Sequence, residues 1–515
     1  PRFEDCHLRR ARQDAAKAEL LVVNHHLFLA DMALRETGFG EVLPGAEAVI
    51  FDEAHLLPEI APRFFGQALG SRQLEELARD VRLARIAEAP ELLLLDALGD
   101  GLVGALRAFR LSLGAEPRRG TWADEAGRGE TASALRALGE ALGALDQALK
   151  AHAERGENLE ACARRAALQG QLLQGFASPG EARETEDGAG EWVEWFETTR
   201  RGFHLYRTPV EVGAQFSRHR DSLQCAWVFT SATLAVSGRF DHFQRRLGLD
   251  GADTACWDSP FDYASQALLY LPGLKVDPGN PAYTREVVRV CREVLPLSRG
   301  RAFVLFTSHR ALQEAAELLR DTLPWPLLVQ GEAPRPRLLQ RFRELGDAVL
   351  LGTSSFWEGV DVRGEALSCV IIDKLPFAAP DDPVLQARLQ LLRREGGNPF
   401  MDHQLPEAVL LLKQGAGRLI RDPADRGLLV LCDPRLGSRP YGRHFLASLP
   451  PMPRTGSLAE VEAFFDREVV ASGQAGPPPE GSTGKRDSSP AGPDPDQTGE
   501  DNPIPTPRRE SCNGS

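Results

Sequence analysis

The sequence predicts an α/β fold in which two domains are built on parallel sheets, the first incomplete and interrupted by an α-helical insertion. Three observations predict it. Residues 48–57, AVIFDEAHLL, run from an apolar, β-branched strand straight into two carboxylates and back to helical composition, as a buried parallel strand does at its carboxyl end. Between residues 60 and 200, segments such as SRQLEELARDVRLAR and TASALRALGEALGALDQALKAHAE repeat Leu and Ala at three- and four-residue spacing, the period of helices. Beyond about residue 245 the pattern is strand, turn, helix, repeated through RAFVLFTSHRALQEAAELL, AVLLGTSSFWEGVDV, LSCVIIDKLPF and GLLVLCDPRL, which implies a second parallel sheet. At 515 residues the chain is too long for one core.

Taken in order, residues 1–19 read as a basic helix carrying Arg9, Arg10, Arg12 and Lys17, followed by a buried strand at Leu20 to Val23 and the polar cluster Asn24, His25 and His26. Adjacent histidines point in different directions and do not easily share one ion; the cluster reads as a strand end that caps the next helix or touches a ligand. At the acidic strand, open α/β sheets hold ligands outside the carboxyl ends. Asp52 is therefore placed to hold a hydrated magnesium ion and Glu53 to polarise the attacking water, as in nucleotide hydrolysis. The same letters also suit a strand followed by an acidic helix N-terminus, which the helix dipole favours. In the insertion, strand-like runs are absent until EWVEWFE, whose Trp192 and Trp195 alternate with acids and read as strand packing. CAWVFTSATLA, Cys225 to Ala235, is a second buried strand ending in hydroxyl residues. The expected domains are 1–60 with 203–244, then the insertion 61–202, then 245–465. Residues 466–515, rich in Pro, Gly, Ser and Asp, read as a disordered tail.

Charge and composition narrow the function. A net charge of −13 argues against nucleic-acid binding by bulk charge and leaves a local basic groove as the alternative. Hydrophobic content of 42% with 26% charged residues is that of a soluble globular protein. No apolar stretch approaches a membrane span and PRFEDCHLRR is no signal peptide, so a cytoplasmic protein is expected. Eight cysteines without a CxxC pair make a disulfide framework unlikely on spacing grounds, and Cys225 and Cys369 read as core thiols. GSTGKR in the tail imitates a phosphate loop, but it lacks the first Gly, the hydroxyl residue after Lys485 and any preceding strand.

Further chemistry falls at strand ends in the second half. FTSHR, Phe306 to Arg310, offers Thr307 and Ser308 with an imidazole and a guanidinium, suited to a phosphodiester backbone. GTSSFWEGVDVRG, Gly352 to Gly364, offers Thr353, Ser354, Glu358, Gly359 and Asp361. In QGAGRLIR, Gln414 to Arg421, a helix would put Arg418 and Arg421 on one face. Such a pair suits a triphosphate as an arginine finger, or else pairs on the surface with Asp422 and Asp425.

Together these stretches resemble the ordered motifs of superfamily 2 helicases, most closely the XPD-like branch that contains the bacterial DinG and YoaA DNA helicases. VIFDEAH resembles motif II, VFTSATL motif III, FVLFTSHRAL motif IV, LLGTSSFWEGVDVRGEALSCVIIDKLPF motif V and LLKQGAGRLIRDPADRGLLVLCDPRL motif VI. LLVVNHHLFLAD resembles the segment this branch carries between its iron-sulfur region and motif II. The likeness covers roughly residues 1–60 and 190–450, with motifs V and VI leaning to the YoaA side.

The resemblance implies two RecA-like domains with ATP between them, and an arch where the helical insertion lies. It implies that Asp52 binds Mg2+, that Glu53 activates water, and that His55, Ser231 and Thr233 couple hydrolysis to DNA. Glu358, Gly359 and Asp361 would belong to the nucleotide and inter-domain face, and Gln414, Arg418 and Arg421 would reach the phosphates. Single-stranded DNA would meet Asn24, His25, Thr307, Ser308, Thr353 and Ser354. Cys6 sits where the last ligand of an iron-sulfur (4Fe-4S) cluster is expected; the next cysteine, Cys162, lies in the insertion. The implied activity is an ATP-dependent DNA helicase moving 5′ to 3′ on single-stranded or forked DNA, a monomer serving repair or replication at the bacterial nucleoid.

One departure stands out. No G-x-x-x-x-G-K-S/T precedes the DEAH stretch and the chain opens on Pro1, so the reading expects a fragment lacking the Walker A loop, whose first sheet exposes apolar surface and which does not hydrolyse ATP efficiently. The alternatives are a non-catalytic single-strand-binding relic, or an ATPase that translocates without separating strands.

Overall fold

The computed structural model describes residues 6–36, 42–177, 191–236, 238–353, 356, 362 and 366–473. The chain divides into two compact units, residues 1–257 with 376–414, and residues 258–375 with 415–515.

The first unit contains strands β1 (Ala48–Phe51), β2 (Gln67–Gly70), β3 (Arg119–Thr121), β4 (Trp192–Thr198), β5 (Phe203–Pro209) and β6 (Ala226–Phe229). β1 and β6 form a two-stranded parallel sheet with Phe51 opposite Phe229. Because side chains alternate across a strand, one face carries Val49, Phe51, Trp227 and Phe229. There Phe51 stacks on Phe229 at 5.5 Å and on Trp227 at 6.1 Å, and Phe216 of helix Gly213–Ser222 closes over both strands. Leu29 and Met32, Leu57 and Ala61, and Phe243 and Leu247 complete this core from helices His25–Glu36, Leu57–Phe65 and Asp241–Leu247. The opposite face stays open, with Ile50 67% and Val228 43% exposed.

The insertion packs helices Ser71–Glu88, Leu94–Ser112, Gly129–His152 and Glu157–Ala177 around Leu77, Val81, Leu102, Phe109 and Leu142. Trp122, fully buried, donates its indole N–H to the Phe176 carbonyl at 2.8 Å, which removes the cost of burying that donor. The insertion is not purely helical. Its helices share the core with an antiparallel sheet in the order β2-β5-β4-β3, and Phe196, Phe203 and Leu205 of that sheet are buried among them. The Phe203–Pro209 strand thus belongs to this sheet, and the expected boundary at residue 203 cuts through a hairpin. β2 and β3 are three or four residues without apolar alternation, so only pairing with the β4–β5 hairpin makes them strands. Trp195 stacks on Tyr206 at 4.1 Å and donates to Thr208 Oγ1, the strand packing expected of it.

Two further expectations are corrected. Leu20 to Val23 forms no strand, and Leu20 and Val22 are exposed: apolar composition makes a strand only where another edge is present to pair with it. Residues 376–414, within the span 245–465 expected for the second domain, pack with the first unit; in helix Pro383–Arg394 the buried Arg388 donates to the Val210 carbonyl at 3.1 Å.

The second unit holds β7 (Ala267–Tyr270), β8 (Ala302–Leu305), β9 (Leu327–Val329), β10 (Val349–Gly352), β11 (Cys369–Ile372), β12 (Gly427–Leu431) and β13 (Arg454–Thr455). They form one parallel sheet in the order β13-β7-β12-β11-β8-β10-β9. Every residue of β7, β8, β10, β11 and β12 is buried, which explains continuous apolar runs without alternation. Helices Tyr283–Val294 and His309–Leu319 seal one face through Val287, Cys291, Leu312 and Ala315. Helix Leu458–Gly473 continues past residue 466, where the tail was expected to begin, and residues 474–515 lie outside the described residues. Cys369 is buried and Cys225 half-buried. Among the described residues no helix is long and apolar enough to cross a membrane.

Candidate active site

The register of β1 on β6 builds the site. The ladder runs one residue past the strands, the Thr230 amide donating to the Phe51 carbonyl at 2.8 Å and the Ala54 amide to the Thr230 carbonyl at 2.9 Å. Asp52 and Glu53 therefore leave the sheet beside Thr230 and Ser231. Glu53 takes a left-handed backbone, φ 49°, costing a non-glycine residue on the order of 1 kcal/mol. That turn throws the chain into Ala54–Leu56 and helix Leu57–Phe65.

The side chains form one connected network. Asp52 Oδ1 accepts from the Glu53 amide at 2.9 Å and from Thr230 Oγ1 at 3.3 Å. Ser231 Oγ donates to Glu53 Oε2 at 3.0 Å, accepts from the Thr233 amide at 3.1 Å and lies 2.8 Å from His55 Nδ1. Its single proton is committed to Glu53, so His55 supplies the Nδ1–H. Nδ1 also lies 3.3 Å from Glu53 Oε2. This tautomer leaves His55 Nε2 as an acceptor, buried and unpaired among the described residues. Gln414, buried near the end of helix Leu405–Ala416, donates to Thr233 Oγ1 at 3.4 Å, and its Oε1 is likewise unpaired among them. Next to it Lys413 donates to the Ala235 carbonyl, and burial pushes its ammonium down. Two buried acceptors without partners beside exposed acids are features of a binding site rather than of a finished core.

Asn24 and His25 have structural contacts. Asn24 Oδ1 accepts from the Leu27 amide at 2.8 Å, closing the first turn of helix His25–Glu36, while His25 packs edge-on against Phe51 and His26 against Phe64. Cys6 is exposed at the start of helix His7–Ala15.

In the second unit, the parallel order β12-β11-β8-β10 lines up four carboxyl ends. Asp433 accepts from the Leu375 amide, and Asp373 from the Lys374 and Thr307 amides at 2.7 and 3.1 Å. Ser308 caps helix His309–Leu319 by accepting from the Ala311 amide, and Thr353 is held by Gln330 Oε1. Burial pushes the Asp373 carboxyl up to about 7. Beside it a cavity of about 200 Å³ is lined by Ser308, Arg310, Lys374 and Asn280. Asp373 and Lys374 went unread in the sequence, although IIDKLPF places them directly after a buried strand. Ser354, Glu358, Gly359 and Asp361 lie outside the described residues.

Arg418 and Arg421 do not share a helical face. The helix ends at Ala416, Arg418 sits in a turn, and the Arg421 and Asp422 amides donate to Asp425 Oδ2. This segment leads into the amino end of β12, anchored by Gln266, which donates to three of its carbonyls. Leu419 fills the space beside Gly427, where a Cβ would meet it at 2.4 Å. Gly415 and Gly417, flanking Ala416, were the available signal that the helix stops there.

Paired acids at a parallel strand end, bridged by hydroxyls to the neighbouring strand, define the class of nucleotide-hydrolysing α/β proteins. Comparison narrows the class. Residues 291–452 match the family model described as Helicase C-terminal domain. The chain is 44% identical over 465 residues to the ATP-dependent DNA helicase YoaA of Escherichia coli (strain K12), covering 90% of this chain and 72% of that protein. It is 42% identical over 470 residues to YoaA of Haemophilus influenzae (91% and 72%), and 31% identical over 505 residues to the ATP-dependent DNA helicase DinG of Photobacterium profundum (88% and 71%). Among solved structures it matches S. tokodaii Xpd4 at 14% identity and a TM-score of 0.49, over 83% of this chain and 81% of that one. The chain belongs to the YoaA/DinG family of DNA helicases.

Proposed function

We propose that this chain is the motor of an ATP-dependent DNA helicase that moves 5′ to 3′ on single-stranded DNA in repair or replication. The observation that carries the reading is the network of Glu53, Ser231 and His55, reached through Thr233 by Gln414. Asp52, exposed at the strand end with Oδ1 held by Thr230 and the Glu53 amide, fits the outer shell of a magnesium ion. When bound, that ion would neutralise charge on the phosphates. Glu53 would take the proton of the attacking water; Ser231, which binds both acid and imidazole, would tie its position to the state of β6. Arg418 and Arg421 keep the proposed role of contacting phosphates, supported by their place in the motif VI-like stretch. Thr307, Ser308 and Thr353, with Arg310 and Lys374 beside them, would meet the DNA backbone through amides, hydroxyls and cations. Cys6 is proposed as one ligand of an iron-sulfur cluster.

The test is strand separation by the full gene product with Mg-ATP, on forked DNA and RNA duplexes with single-stranded arms of either polarity. Separation of DNA with a 5′ arm, and none with RNA, is expected. ATP turnover without separation of any duplex would replace this reading by a translocase.

A further inference from the structure

Away from the DEAH strand end, the first unit carries a second cluster of ligand-type side chains. His403 and Glu407 stand four residues apart where a π-helical turn, Phe400–Gln404, runs into helix Leu405–Ala416. His242 approaches from helix Asp241–Leu247. One ligand atom from each lies within 4.8 Å of the other two. We propose that His242, His403 and Glu407 bind one divalent transition-metal ion of the zinc type, as a structural centre that joins these two helices.

Three observations carry it. The donor set, two imidazoles and a carboxylate, is one that zinc uses with a fourth position left for water, and imidazole selects such an ion over magnesium. The geometry around His242 is that of a ligating histidine: Nδ1 lies 3.2 Å from the Asp402 carbonyl and Nε2 lies 2.7 Å from Glu407 Oε1. Giving Nδ1–H to the carbonyl is the outer-shell arrangement that orients metal-bound imidazoles, and it turns Nε2 towards the Glu407 carboxylate. His403 is buried, and its ring centroid lies 5.8 Å from that of His242. Arg246 binds Glu407 Oε1 and also donates to Glu59 Oε1 at 2.7 Å and the Pro58 carbonyl at 3.2 Å. Glu59 shares its charge, and the Glu407 carboxylate supplies the oxygen ligand of the proposed site. π-helical turns inside helices are frequent at functional sites, and this one brings His403 onto the same side as Glu407. The helix so pinned is the one that carries Gln414 to Thr233.

The test uses the full gene product, stripped with a chelator and refilled with Zn2+ or Co2+. About one ion per chain should survive gel filtration beyond any held by cysteine. The cobalt form should show d–d absorption without thiolate-to-metal charge transfer, and zinc should raise Tm. In His403→Gln, affinity should fall at least about tenfold and the zinc-dependent rise in Tm should vanish. Should His403→Gln fail to fold, His242→Asn with the wild-type cobalt spectrum decides. No retained ion in the wild type, equal binding in the variants, or a thiolate spectrum alone would overturn the proposal.

Discussion

The two parallel sheets of this protein are built on opposite terms. In the second unit, five strands of a seven-stranded sheet, β11 among them, are buried at every position. In the first, β1 and β6 pair alone among the described residues, one face covered by an aromatic stack and the other bearing exposed Ile50 and Val228. Yet the denser network of polar side chains sits on the smaller sheet. The register of Phe51 on Phe229 sets Asp52 and Glu53 beside Thr230 and Ser231. The large sheet contributes a row of carboxyl ends and a well-packed core.

The comparison can be broken or sharpened by substitution. The largest effect belongs to the small sheet. Glu53→Gln should retain ATP binding while turnover, measured on the full gene product, falls about 100-fold or more; turnover near the wild-type value would remove Glu53 from the chemistry. Stability should follow the reverse order. Ile371→Ala, in the fully buried β11, should cost about 3 kcal/mol in denaturant unfolding, whereas Ile50→Ala should stay within about 0.5 kcal/mol. Similar costs at both positions would mean that the open face of β1 is covered in the folded protein.

A smaller effect concerns pH. Burial raises the Asp373 carboxyl from 3.8 to about 7, so its protonated form favours the folded state. That contribution is full below about pH 4 and is lost as pH rises through 7. Asp373→Asn can still accept the Lys374 and Thr307 amides, and it should flatten the unfolding midpoint across that window; an unchanged slope would show that Asp373 does not titrate there.

The parts of this design that sequence made legible are those written in contiguous letters. AVIFDEAH and AWVFTSAT each carry strand, strand end and functional side chains within eight residues, so Asp52, Glu53, His55, Ser231 and Thr233 could be named together, and the structure joins them in one network. What failed depended on partners distant in sequence. β2 and β3 are strands only because the β4–β5 hairpin offers them edges; Leu20 to Val23, with the better strand composition, pairs with nothing among the described residues. Arg418 and Arg421 were given a common helical face, although two glycines end that helix first. His242 lies more than 150 residues from His403 and Glu407, and only the four-residue spacing of the latter pair is visible in one dimension.

The most direct test of the central claim, that these paired strand ends are an ATP-hydrolysis site coupled to DNA, is the ratio of ATP turnover with and without single-stranded DNA, in wild type and Ser231→Ala. The ratio should lie well above one in the wild type and fall towards one in the variant, because Ser231 bonds both Glu53 and His55 across the two strands. No stimulation in the wild type, or the same ratio in both proteins, would contradict it.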